Sequence, residues 1–185
     1  MPSEVQNLAK FHIPDHFRGK PAWFVQIWWL VESSLFRHSP QFMYGWRCYL
    51  LKLFGAKIGK NVKIRPTASI TYPWKVSIGD NSWIGDETVL YSLGDIEIGS
   101  NTVISQRSYI CTGSHDYKLP TFDIFARKIT IESEVWVGTD VFIAPGVEIG
   151  FGTVVGARSS VFNTLPPMKI CIGSPAKPIT NRMST

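Results

Sequence analysis

The residue with the clearest capacity for chemistry is His115. It is the only histidine after His38 and lies in the stretch Cys111-Thr112-Gly113-Ser114-His115-Asp116-Tyr117. An imidazole ordinarily titrates near neutrality, so a histidine in a polar loop can take a proton from a hydroxyl and return it later. Ser114, His115 and Asp116 do not form a triad, because consecutive residues cannot align nucleophile, base and orienting acid in one chain of hydrogen bonds. Asp116 remains a candidate to orient the imidazole. Cys111 carries no sign of an activated thiolate, and a packed, inert thiol is the stronger reading. Cys48, Cys111 and Cys171 are too far apart to form a metal-ligand pair, and no metal is expected.

The elements around this loop are defined by a rhythm. An aliphatic residue returns at Ile58, Ile64, Ile70, Ile78, Ile84, Leu90, Ile98, Ile104, Ile110, Ile131, Val137, Ile143, Ile149, Val155 and Val161. The basic step is six residues, and glycine often follows the aliphatic position, as at Gly59, Gly79, Gly85, Gly99, Gly138, Gly150 and Gly156. A small or β-branched residue commonly stands four positions after it, as at Ser82, Thr102 and Ser108. Period six is neither helical nor a hairpin alternation. It fits three short strands per triangular coil, with one aliphatic residue of each strand inside and glycine easing the corners through backbone angles other residues avoid. Stacked coils pair as parallel strands ~4.8 Å apart, so five coils give an axis of ~24 Å.

Two steps are eight rather than six, Ile70 to Ile78 and Leu90 to Ile98, and the long break runs from Ile110 to Ile131. Each falls on every third unit, so all three expansions stack on one edge of the prism. His115 therefore belongs midway along that edge. The same counting puts Tyr91 and Ser92 beside Cys111 and Thr112, with Glu87 a few residues earlier.

Before the repeat, Pro21 can open a helix in which Phe24, Ile27, Trp28, Val31 and Leu35 follow helical spacing. Pro40 ends or restarts it, and a second helix is expected from Gln41 to Phe54 with a stop at Gly55. These Trp-rich helices with nearby Arg18, Lys20, Arg37, Arg47 and Lys52 have two readings. They cap one end of the following domain or pack on a neighbouring subunit, or they form an interfacial patch on a membrane. The division expected is a helical N-terminal segment (1–55), a parallel β-helix (56–166) with an extended loop (111–130), and a C-terminal tail (167–185).

The totals exclude several classes. With 185 residues, a net charge of +5 and seven of nineteen cations before residue 58, the chain has the size of one domain with an appendage and no long basic run for nucleic acid. Its odd, scattered cysteines fit a reducing compartment better than a disulfide framework. No signal peptide is read at the N-terminus, and the most apolar run, Ala22 to Val31, is too short to span a bilayer. A cytoplasmic protein is expected.

From about Ala56 to Ile179 the chain resembles the hexapeptide-repeat acyltransferases, which fold as left-handed β-helices. The likeness includes Ile143-Ala144-Pro145-Gly146-Val147-Glu148-Ile149-Gly150 and Gly173-Ser174-Pro175-Ala176-Lys177. The whole chain is most similar to the colanic acid biosynthesis acetyltransferases, on Phe17-Arg18-Gly19-Lys20, Met43-Tyr44-Gly45-Trp46-Arg47, Leu53-Phe54-Gly55-Ala56-Lys57 and the segment around His115. The left hand comes from this resemblance, since periodicity cannot supply it and crossovers are usually right-handed.

The resemblance implies a homotrimer with active sites in clefts between neighbouring β-helices, acetyl-CoA as donor, and His115 as general base for direct transfer to a sugar hydroxyl. It also implies that Trp136, Thr139, Ala157 and Lys177 line the CoA site, while Tyr91, Ser92, Glu87 and Asp116 are candidates to contact the acceptor from their place in the coils beside the loop. Where relatives often place a Thr-Lys pair, this chain has Phe162-Asn163, which leaves Arg158 or Arg182 as further candidates for the phosphates. The expected acceptor is an exopolysaccharide or capsule precursor, sugar or lipid-linked oligosaccharide, with peripheral membrane contact through 21–54. The alternatives are a soluble nucleotide-sugar, amino-sugar or xenobiotic acceptor, and a non-enzymatic scaffold trimer. A γ-type carbonic anhydrase would need three zinc histidines, and the coil region has one.

Overall fold

The computed structural model describes residues 4–183. The outermost residues of the expected N-terminal segment and tail, 1–3 and 184–185, lie outside the described residues.

All fifteen aliphatic positions of the repeat are buried in one continuous core. The first coil is Lys57–Ile58, Lys63–Ile64 and Ser69–Ile70, and four more full coils follow in parallel register. Ile58, Ile78, Ile98, Ile131 and Ile149 stack on the first face. Ile64, Ile84, Ile104, Val137 and Val155 stack on the second. Ile70, Leu90, Ile110, Ile143 and Val161 stack on the third. A partial sixth coil extends the stack beyond the five expected. In it, Leu165 bridges Ile149, Lys169–Gly173 pairs with Val154 and Val155, and Ala176–Asn181 folds back as an antiparallel edge.

The corners work differently from the expectation. The left-handed backbone angles fall on Asn61, Asn81, Glu87, Asn101, Arg107, Glu134, Asp140 and Arg158, not on the glycines that follow the aliphatic positions. What those glycines supply is proximity. A Cβ on Gly85 would lie 2.6 Å from the backbone nitrogen of Gln106 in the next coil, closer than any side chain tolerates. Inside the corners, hydroxyls replace aliphatics. Ser82 donates to the Gly99 carbonyl and accepts from the Thr102 amide, and Thr102 repeats the pattern toward Glu132 and Val135. A small hydroxyl four positions after the core residue thus joins successive coils where a bulky side chain would not fit.

An open end of such a stack exposes unpaired strand groups, and the N-terminal segment closes it. Helix α1 (Ala22–Val31) runs into a π-helical turn at Glu32–Phe36, and α2 (Tyr44–Leu53) crosses the first coil. The Trp28 indole donates to the Ile70 carbonyl at 2.8 Å, and the Glu32 carboxylate accepts from the Ile70 amide at 2.6 Å and the Ser69 hydroxyl at 3.1 Å. The Arg47 guanidinium donates to the Ile64 carbonyl at 2.6 Å, and the Cys48 thiol to that of Val62. The capping role of these helices is therefore direct: four side chains complete the hydrogen bonds a lower coil would have made.

Glu32 gives a pH-dependent test. Burial is the largest influence on its carboxyl and raises its pKa above the usual value, against the lowering effect of its hydrogen bonds. A raised folded-state pKa contributes stability that is full below the unfolded value and is lost as pH rises through the folded value. Glu32→Gln keeps an acceptor for Ile70 without a charge to bury. It is expected to gain stability relative to wild type as pH rises from acid to neutral, whereas Glu32→Ala orphans the amide and costs about 1–3 kcal/mol. Urea denaturation at acid and neutral pH checks both.

Candidate functional site

The three expansions of the repeat do stack at the corner between the third and first faces. Tyr91 pairs with Cys111, the Thr112 hydroxyl donates to the Tyr91 carbonyl, and the Gly94 amide donates to the Thr112 hydroxyl. Beneath the long break lies a small second core of Val25, Tyr72 and Leu93, with Phe17, Ile124 and Ala126 against it. The break is a hairpin, Gly113–His115 paired antiparallel with Ile124–Ala126. A Cβ at Gly113 would meet Leu93 at 2.6 Å, so glycine lets the hairpin lie down on this core.

His115 ends the first hairpin strand. Its Nδ1 lies 2.8 Å from the Phe122 carbonyl, and its ring stacks on the Phe122 ring at 4.3 Å with an 8° tilt. A carbonyl only accepts, so Nδ1 carries the proton in this contact and the Nε2 lone pair is left as the basic site. Phe122 holds the left-handed angle φ 52°, which turns its carbonyl back to the imidazole. Phe11 approaches the histidine ring at 5.7 Å, and the Asn7 amide donates to the Pro120 carbonyl at 2.7 Å, so the chain's beginning braces the hairpin.

The expected orienting partner is corrected by this geometry. An Asp116 carboxylate oxygen accepts from the Lys118 amide at 2.9 Å, closing a turn in the hairpin loop, and the Phe122 carbonyl takes the place at Nδ1. Ser92 is likewise corrected as an acceptor-facing residue. It is fully buried, and its hydroxyl accepts from the Tyr72 amide and donates to the Tyr72 carbonyl. Tyr91 points outward from the third face, half-buried beside Tyr109, and burial raises its phenol pKa. Glu87 lies at the corner between the second and third faces, away from the hairpin's corner, with its amide held by the Thr67 hydroxyl. Burial pushes the Cys111 thiol up from its usual pKa, which disfavours a thiolate.

Three of the four expected CoA residues come together. Trp136, Thr139 and Ala157, with Ser105 and Gln106, line a groove of about 360 Å³ on the second face and its far corner. The Trp136 indole donates to the Ser105 hydroxyl at 3.0 Å and the Thr139 hydroxyl to the Gln106 carbonyl at 2.9 Å, which fixes the wall. Lys177 is not in that lining. It pairs with Ile172 on the outer strand of the sixth coil, and Ile172 approaches Gly156 of the groove, so Lys177 stands beyond the groove's upper end. Arg158 is next to Ala157 and largely exposed, 3.7 Å from Asp140. Arg182 is committed elsewhere, donating to the Gly152 and Glu134 carbonyls.

The hairpin and the groove lie at different corners of one prism, separated by the third face. The sequence names His115 and three residues that the structure brings into one groove, but not the Phe122 carbonyl, Phe11 or Asn7. A backbone acceptor leaves no side-chain signature, and the bracing contacts join residues more than a hundred positions apart.

No protein-family model matches the chain. It is 56% identical over 181 residues to the colanic acid biosynthesis acetyltransferase WcaF of Escherichia coli strain K12, covering 98% of this chain and 100% of that protein. A hexapeptide-repeat acetyltransferase of Vibrio cholerae superposes with a TM-score of 0.81 at 23% identity, covering 96% of this chain and 98% of that one. The same Vibrio protein complexed with acetyl coenzyme A gives 0.77 at 24% identity, over 92% and 89%. At these identities the structural likeness is one of fold, a left-handed β-helix behind a helical N-terminus. The prism, its interrupted corner and the full-length match to WcaF place the chain in the hexapeptide-repeat acetyltransferases, beside those of colanic acid biosynthesis.

Proposed function

We propose that the protein transfers an acetyl group from acetyl-CoA to a sugar hydroxyl of an exopolysaccharide or capsule precursor, with His115 as general base. The observation that carries this is the Nδ1 contact to the Phe122 carbonyl, which leaves Nε2 as the proton acceptor. In the step proposed, Nε2 takes the hydroxyl proton as the sugar oxygen forms its bond to the thioester carbonyl carbon. The C–S bond then breaks, and the imidazolium returns the proton to the departing CoA sulfur. No covalent acyl-enzyme is needed, consistent with the disfavoured Cys111 thiolate.

The donor is assigned to the groove of Trp136, Thr139 and Ala157, with Arg158 and Lys177 nearest its upper end for the nucleotide phosphates. Acetyl-CoA is the ligand named for the Vibrio acetyltransferase of the same fold. Because His115 and this groove occupy different corners, we assign the working site to a cleft between adjacent chains of a homotrimer, His115 from one and the groove from the next. The exposure of Tyr117 and Leu119 in the hairpin loop supports this assignment, which gives them the contact with that neighbour. Tyr91 is retained as an acceptor contact. The setting proposed is the cytoplasm, with residues 21–54 toward the inner face of the membrane.

The test is mass spectrometry of products from acetyl-CoA with lipid-linked and nucleotide sugars offered in parallel. The reading predicts an added acetyl group on a lipid-linked sugar. Modification confined to nucleotide sugars, or none, would overturn it.

A further inference from the structure

The charge of this molecule is concentrated at one end. Between Asp15 and Asp80 the chain carries ten Lys or Arg and a single acid, Glu32. That acid is half-buried and committed to Ile70 and Ser69, Arg47 is fully buried, and Arg65 is paired with Asp86. The charge exposed on and beside the two helices is therefore that of Lys20, Arg37 and Lys52, with Lys60 next to them and the Asp80 carboxylate held at the Lys60 amide. The same end presents apolar side chains. On α1, Val25 and Trp28 face the first coil, and at 100° per residue Trp23, Ile27 and Leu30 fall on the opposite side. On α2, Arg47, Leu50 and Leu51 face the coil, and Tyr49, Lys52 and Leu53 fall opposite. Trp23 is 64%, Leu30 68%, Leu53 62% and Phe42 80% exposed, so no described part of this chain covers that side.

A second observation connects this end to the proposed site. Below the groove of Trp136 a concavity of about 640 Å³ is lined by Tyr44, Lys63, Arg65, Trp83 and Gln106. Below that, a third of about 850 Å³ is lined by Tyr44, Tyr49, Lys52, Lys60 and Lys63. Neighbouring members share lining residues, Ser105 and Gln106 above and Tyr44 and Lys63 below. A continuous track thus descends the second face from the donor groove to the outer side of α2.

We propose that the outward side of α1 and α2 docks on an anionic lipid bilayer, with the track's lower mouth opening onto the lipid surface. The apolar side chains enter the headgroup boundary and Lys20, Arg37, Lys52 and Lys60 meet lipid phosphates. Docking stands on the cap's own surface. The use of the track, bringing a lipid-anchored sugar up to the donor, rests on the transfer proposed above. No helix among the described residues is long and apolar enough to cross a membrane, so this is attachment and not insertion.

The experiment is vesicle flotation of the full chain with phosphatidylcholine alone and with added phosphatidylglycerol, beside light scattering of assembly mass. The expected result is flotation only with the anionic lipid, weakened by salt. Trp23→Ser/Leu30→Ser/Phe42→Ser together should cut the bound fraction by ~10-fold or more, with mass and transfer to a water-soluble acceptor unchanged. Absence of flotation, or flotation indifferent to the triple substitution, would overturn docking. A changed assembly mass would also overturn it, by making this side an interface between copies of the chain. Failure of the proposed chemistry reads separately, as no acetyl group added to a lipid-linked sugar dispersed in detergent, where docking plays no part.

Discussion

Replacing His115 with alanine is expected to lower kcat by about 10²–10⁴-fold, with KM for acetyl-CoA within about threefold of wild type. The asymmetry follows from the proposed roles: the imidazole acts on the acceptor's proton, and the donor lies along a groove at another corner. His115 is half-buried and held by one hydrogen bond and one stacked ring, so removing it leaves the fold intact. Asp116→Asn separates orientation from proximity. If a carboxylate oriented the imidazole, an amide there would favour the wrong tautomer and cost thousands-fold, as in serine protease triads. With the Phe122 carbonyl at Nδ1, Asp116→Asn is expected to stay within a few-fold, because the amide oxygen can still accept from the Lys118 amide. Steady-state kinetics of the two variants distinguishes these cases.

The largest stability effect is expected at Arg47. Its side chain is fully buried and donates to the Ile64 carbonyl at 2.6 Å, the Ser39 hydroxyl at 2.8 Å, the Pro40 carbonyl at 2.9 Å and the Gln41 carbonyl at 2.6 Å. Burial lowers its pKa from the ordinary guanidinium value, so part of what these contacts contribute is offset by desolvation. Arg47→Met fills a similar volume and removes the burial cost, but it leaves these acceptors without their partner. Hydrogen bonds to charged groups contribute about 1.5–3 kcal/mol each and are not additive, so the net loss is expected at about 3 kcal/mol. Urea denaturation checks it, and unchanged stability would mean that the turn between the helices closes without Arg47. The loss should appear first as opening of the lower end of the prism, where the guanidinium stands in for a missing coil.

Much of this was legible because the repeat is a local constraint. Ile58 through Val161 lie inside at the spacing read from the chain, and the widened steps at Ile70 and Leu90 foretold where the hairpin would rest. Ser92 was misread although its signal was present. Strand alternation puts Leu90 inside, Tyr91 outside and Ser92 inside again. The glycines were correctly seen as corner residues but for the wrong reason, because close approach of the next coil and positive φ leave the same mark in a sequence. Arg47 reads from the sequence as one of the cations beside the Trp-rich helices, and Glu32 carries no signal of its own. Their use as substitutes for strand hydrogen bonds depends on where the prism begins, and residue type does not encode that. The Phe122 carbonyl was beyond reach, since any residue carries one.

In the proposed trimer, His115 of one chain works on a donor held by the next. His115→Ala and Ala157→Trp, the second filling the donor groove, are each expected to be inactive alone. Co-expressed, they form mixed trimers in which a site is whole when an Ala157→Trp chain supplies the histidine and its His115→Ala neighbour supplies the groove. Random assembly makes that about a quarter of sites, so acetyl transfer at roughly that fraction of wild type is the predicted result. If histidine and groove served the same chain, no chain in the mixture would carry both, and a preparation as inactive as either parent would rule out a site shared between chains.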